Sequence, residues 1–175
     1  SEIHELWFRY FDEINSVLRR GPNPGYTAWT PIFSKDPYYM LQCDFCYMIG
    51  LDMFDEFVKP ELAASCKKIK NGFYHLDGPG QLNHLDSLLT IKELKGVQWI
   101  PGAGAKPLIE WMDVFKKIDA AGKHMQVFSD PWSGDLLEAM SKEIKNMDRV
   151  ILLYNTDIKN REKAVALLKR YGIKP

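Results

Sequence analysis

The sequence predicts an α/β fold of parallel strands, about five βα units long, that forms part of a (β/α)8 TIM barrel. Three observations predict it. Short apolar runs of strand length alternate with stretches whose apolar residues recur every three or four positions, the connections are short, and no tandem hairpin signals occur. A complete barrel has eight strands and typically needs ~250 residues, more than the 175 of this chain. Hydrophobic residues make up 46% and aromatic residues 13%, enough for one core, so residues 1–175 read as a single domain.

Each element follows from its local pattern. Ile3, Leu6, Trp7, Tyr10, Phe11, Ile14, Val17 and Leu18 fall on one helical stripe, which Gly21 and Pro22 stop. Tyr26 to Phe33 reads as a short strand, ending near Pro31. Ser34 to Gly50 has no clear period and reads as a long loop with room for one helical turn. Asp52 is placed as N-cap of a helix carrying Met53, Phe54, Phe57 and Leu62, which Pro60 kinks or divides. Phe73-Tyr74-His75-Leu76 is a strand closed by Asp77-Gly78-Pro79-Gly80, and a helix bearing Leu82, Leu85, Leu88 and Leu89 follows. Val97 to Ile100 is the next strand, broken by Pro101-Gly102-Ala103-Gly104. Pro107 starts a helix with Leu108, Trp111, Met112, Phe115 and Ile118 on one face, closed by Gly122. His124 to Ser129 is a strand, Leu136, Leu137, Met140 and Ile144 mark a helix, Arg149 to Tyr154 is a strand, and Ala164, Leu167, Leu168 and Tyr171 mark the last helix. Parallel strands are therefore expected near Ala28, Tyr74, Gln98, Val127 and Leu152.

Composition narrows the function. Lys plus Arg equals Asp plus Glu at 23 each, so no net field draws the chain to nucleic acid or to an anionic membrane. No apolar run approaches the ~18 residues that span a bilayer. Three cysteines, Cys43, Cys46 and Cys66, do not make a secreted disulfide framework, and no signal-like segment opens the sequence, so a cytoplasmic location is expected. The first residue is Ser rather than Met, which suggests a processed chain or a fragment.

Tyr74-His75-Leu76-Asp77-Gly78, then Gln98-Trp99-Ile100-Pro101-Gly102 and Ala121-Gly122-Lys123, resembles the uroporphyrinogen decarboxylase superfamily, which also contains corrinoid-linked methyltransferases. Asp44 followed by Met53-Phe54-Asp55-Glu56-Phe57-Val58-Lys59-Pro60 is similar to the loop and helix that precede the family's His-bearing strand. The resemblance covers nearly the whole chain and corresponds to the C-terminal part of the family's barrel. The early βα units, which in the decarboxylases bring an arginine-rich segment and an aspartate to the substrate, have no convincing replacement here. The methyltransferase branch holds zinc through a His-x-Cys pair and a distant C-terminal cysteine; this chain has His75-Leu76-Asp77 and no cysteine beyond Cys66.

His75 is the leading candidate for chemistry, as a metal ligand, a general acid/base or a hydrogen-bonded strand-end histidine, because parallel barrels place their sites at the C-terminal strand ends. Asp77, two residues on, points to the same side of an extended strand. Both side chains can bind zinc, although a catalytic site needs a third protein ligand. Asp77 alternatively caps the turn at Gly78. Asp44 matches the family pattern as a catalytic candidate or caps a helix. Gly102 and Gly104 form a fragment of an anion-binding loop or a plain strand-to-helix turn. Trp99 stacks on a planar macrocycle or is a buried barrel side chain. Cys43-Asp44-Phe45-Cys46 has C-x-x-C spacing without a second ligand pair or a thioredoxin-like surround, and reads first as two reduced thiols. His84 reads as a packed or surface histidine, and His4 and His124 have no evident chemical neighbours. The basic residues of the last helix form its solvated face.

What the resemblance implies is corrinoid-dependent methyl transfer to a thiol, with His75 and Asp77 holding zinc and the corrinoid carried on a partner protein. Its alternatives are a metal-free tetrapyrrole decarboxylase and a non-catalytic truncated scaffold or binding module. The open edges of a five-strand sheet predict a homodimer, the missing N-terminal barrel half, or the stripe from Ile3 to Leu18 folded across the edge.

Overall fold

The computed structural model describes residues 2–22, 24–129 and 134–174 and is an α/β protein whose principal strands are parallel. It divides into two compact units, Ser1–Gly102 and Ala103–Pro175.

The first unit opens with helix α1 (Glu2–Leu18). Its aromatic side turns inward: Trp7 and Phe11 meet the Tyr39 ring edge-on at 5.3 and 6.1 Å, and Phe11 stacks on Tyr26 at 6.1 Å. The stripe is wider than this contact, so Ile3, Tyr10, Ile14 and Val17 stay exposed. His4, which had no evident partner in the sequence, ties α1 down by pairing with Glu61 and by bonding Ser65 Oγ at 2.7 Å.

The segment expected as a parallel strand near Ala28 is instead a small antiparallel ribbon, β1 (Tyr26–Thr27) with β2 (Phe33–Ser34). The first parallel strand is β3 (Tyr38–Leu41), inside the stretch read as loop. Its four apolar residues after Pro37 are too few to show a period. β4 (Asn71–Asp77) pairs with β3 from Tyr38↔Asn71 to Leu41↔Tyr74, and β5 (Gly96–Ile100) pairs with β4 from Phe73↔Gly96 to Asp77↔Ile100.

Between β3 and β4 the chain is helical over residues 51–68 but changes pitch on the way. α2 (Leu51–Met53) passes into a π-helical turn (Phe54–Val58) and then α3 (Lys59–Lys68). The Lys59 N–H reaches back five residues to the Phe54 carbonyl. Pro60 accounts for the change: lacking an N–H it cannot donate to the preceding turn, and the helical ladder restarts around it as α3. The N-cap is Gly50 rather than Asp52. A 3-10 segment (Pro79–His84) and α4 (Leu85–Leu89) connect β4 to β5. Tyr38, Met40, Phe54, Ile69, Leu76, Leu88, Val97 and Trp99 are fully or almost fully buried in this unit.

The second unit follows the expected order: α5 (Met112–Ala120), β6 (His124–Ser129), α6 (Gly134–Glu143), β7 (Val150–Tyr154) and α7 (Arg161–Arg170). β6 and β7 are parallel, from Met125↔Val150 to Ser129↔Tyr154. Phe115, Ile118, Met125, Val127, Leu136 and Met140 fill its interior. Among the described residues no helix is long and apolar enough to cross a membrane.

Candidate functional site at the ends of the parallel strands

Alternation along β4 places His75 and Asp77 on one face and Tyr74 and Leu76 on the other. In the parallel register His75 is level with Gln98, Leu76 with Trp99 and Asp77 with Ile100. Level residues of neighbouring strands share a face. Gln98 accordingly reaches His75, its Oε1 standing 2.6 Å from Nδ1. A carbonyl oxygen only accepts, so Nδ1 donates and the ring lone pair is at Nε2. Nε2 stands 3.8 Å from Asp77 Oδ2, too long for a direct hydrogen bond. The Trp29 ring meets the His75 ring edge-on at 4.9 Å and is itself 55% exposed. The Gln98 Nε2 atom is buried with no hydrogen-bond partner among the described residues.

Gly78 ends this strand with φ 79° and ψ 158°, and its N–H bonds the Ile100 carbonyl at 2.8 Å. That backbone conformation is open essentially to glycine alone. Gly78→Ala is therefore expected to destabilise the first unit by about 1–3 kcal/mol, read as a lowered denaturation midpoint; an unchanged midpoint would show that the turn relaxes to negative φ.

The sequence-predicted residues divide. His75 and Asp77 come together. Trp99 does not join them: it sits level with Leu76 on the opposite face and is fully buried, because a one-residue step along a strand reverses the side. Gly102 and Gly104 both have positive φ, 88° and 75°, yet a Cβ at either would meet nothing within 4 Å. They serve the backbone conformation rather than a close approach, as a turn requires. Asp44 is exposed in the first turn of the 3-10 segment Asp44–Met48, next to the cysteines. Sequence reasoning missed Gln98 and Trp29. Gln98 had a signal, since a lone polar residue between Val97 and Trp99 in a buried strand has a reason to be there; Trp29 had none, because its neighbours show no period.

For the zinc implied by the resemblance, the described residues hold two of the candidate donors. His75 and Asp77 offer two donors, and among the described residues no group of three His, Cys, Asp or Glu side chains is placed to hold a metal ion.

A second cluster lies beyond the end of β3. Cys46 is buried and Cys43 half-buried, and the Cys46 N–H closes a turn onto the Cys43 carbonyl at 3.1 Å. The hydrogen bond from the Cys46 thiol, helped by the Cys46 and Phe45 N–H groups, lowers the Cys43 pKa to about 6 against the opposing effects of burial and the Asp44 charge. Cys46 moves the other way, pushed up by its bond to Cys43, by burial and by the Cys43 charge. Burial first, and then the thiol charges, raise Tyr74 as well. The next segment fixes both cysteine carbonyls: Gln81 Nε2 donates to Cys43 O at 3.3 Å and His84 Nε2 to Cys46 O at 2.8 Å. The Tyr74 hydroxyl donates to Gln81 Oε1 at 3.0 Å. From the same turn the Tyr47 ring lies over bare glycine backbone, its atoms 3.1 Å from where a Cβ of Gly78 would stand and 2.6 Å from one on Gly80. No family model, curated protein or solved structure matches the chain.

Proposed function

We propose that the chain is the C-terminal part of a uroporphyrinogen decarboxylase-type barrel and that His75 transfers a proton to a carboxylated tetrapyrrole without a metal. The observation that carries this reading is the 2.6 Å bond from His75 Nδ1 to Gln98, which fixes the ring and turns Nε2 toward Asp77. A histidine held in this way carries the transferred proton at Nε2, beside the Asp77 carboxylate. As a ring-substituent carboxylate leaves as CO₂, the electron pair it leaves on carbon takes that proton, and His75 is reprotonated from water. The half-exposed face of Trp29 supplies an apolar surface for the planar ring.

Titration of the chain with uroporphyrin tests the reading. A saturable shift of the porphyrin absorbance band is expected, weakened about 5- to 10-fold in Trp29→Ala, the loss of roughly 1 kcal/mol of aromatic contact. Absence of a saturable shift would overturn it. So would stoichiometric zinc, lost in His75→Ala, which points to thiol methyl transfer instead.

A further inference from the structure

We propose that Cys43 and Cys46 form a redox-active dithiol that closes as an intramolecular disulfide by exchange with a low-molecular-weight disulfide of the glutathione class. The site is separate from His75, since its tyrosine, Tyr74, projects from the opposite face of β4.

Four features of the geometry support the proposal. First, the turn closed by the Cys46 N–H on the Cys43 carbonyl brings the two Cα atoms within about 7 Å, inside the range a disulfide spans. Second, both cysteines belong to one short turn, Cys43 as the N-cap of the 3-10 segment Asp44–Met48 and Cys46 within it, so closure is local and joins no distant parts of the fold. Third, the two differ in access: Cys43 is half-buried and available to an incoming disulfide, whereas Cys46 is fully buried and reached only from Cys43. This is the division between an attacking and a resolving thiol. Fourth, the turn is held from behind by Gln81 and His84, both buried, each donating to one of the two cysteine carbonyls. Those bonds use the backbone and leave both sulfurs free to react. The displaced acidity of Cys43, about 6, agrees with the role the geometry assigns it.

The steps balance. The Cys43 thiolate attacks one sulfur of the external disulfide, whose S–S bond breaks, and one small thiolate leaves and is protonated by water. Cys46 then gives up its proton and attacks the Cys43 sulfur, expelling the second small thiol. Two protein thiols are oxidised, and one external disulfide is reduced to two thiols.

The test uses the full chain equilibrated in glutathione redox buffers, acid-quenched and mapped by mass spectrometry. The wild type is expected to lose two hydrogens from the peptide that holds both cysteines. Cys46→Ser should instead accumulate glutathione on Cys43, and Cys43→Ser should accumulate none, with buried Cys66 unmodified in all three. The rate of attack by Cys43 should rise through a midpoint near pH 6 and be level above it, and Cys46→Ala, which leaves no side-chain donor at that position, should move the midpoint upward. At pH 7 the larger thiolate fraction and the lower nucleophilicity of an acidic thiol leave a net gain of about 3- to 6-fold over an ordinary cysteine. Both cysteines remaining alkylatable in oxidising buffer would overturn the proposal, as would a midpoint unchanged in Cys46→Ala or glutathione appearing first on Cys66.

Discussion

Phe54→Ala is expected to lower the unfolding free energy of the first unit by about 3–5 kcal/mol, the usual loss for truncating an enclosed phenylalanine. The ring is fully buried and stacks on His84 at 4.6 Å and 12°. His84 donates to the Cys46 carbonyl, so the ring supports the dithiol turn as well as the core. Phe57, three residues further along the same π-helical turn, is 59% exposed and serves as the control. Its alanine variant is expected within about 0.5 kcal/mol of wild type. Denaturant titration separates the two, and equal losses would mean that the side of the turn has been assigned wrongly.

The second large effect belongs to the other unit. The Asp119 side chain is 5% exposed; its Oδ2 accepts the Lys145 backbone N–H at 2.9 Å, and its Oδ1 faces Arg149 Nη1 at 3.4 Å. Asp119→Ala leaves a partly buried N–H without its acceptor and removes the anion beside Arg149. The expected loss is about 2–3 kcal/mol, held to this size because Arg149 is a third exposed and keeps its bond to the Asp119 carbonyl. Asp119→Asn retains the acceptor and should lose about half as much. Thermal unfolding of the two variants gives the order, and a larger loss in the asparagine variant would show that charge rather than the backbone bond dominates.

Much of this architecture was legible because long elements carry their own period. The helices around Phe11, Phe115 and Leu167, and the strands at Tyr74, Gln98, Val127 and Leu152, were all readable from spacing and turn residues. β3 was not, since four apolar residues without alternation look alike in a strand and a loop, and its identity comes from pairing with a distant β4. The hairpin of β1 and β2 is shorter still, and Pro31 between its strands reads as the end of one strand rather than as the turn of a hairpin. At the candidate site, His75 and Asp77 were visible as a pair two residues apart. Gln98 and Trp99 could not be ranked from sequence, because which one faces His75 depends on register, and one step reverses the answer. The C-x-x-C spacing was visible too, but its meaning lay in Gln81, His84 and Tyr74, more than 25 residues away along the chain.

The ring of Tyr47 over Gly78 and Gly80 has a consequence in chain entropy. Neither glycine has a side chain to order, so the contact restricts only the two side-chain torsions of the tyrosine. The loss is shifted to the backbone, because glycine gives up more conformational freedom on folding than any other residue. Pro79 between them works in the opposite sense, restricting the unfolded chain before any contact forms. At the turn that closes the His75 strand, the restriction Pro79 places on the unfolded chain therefore offsets part of the freedom Gly78 and Gly80 give up on folding.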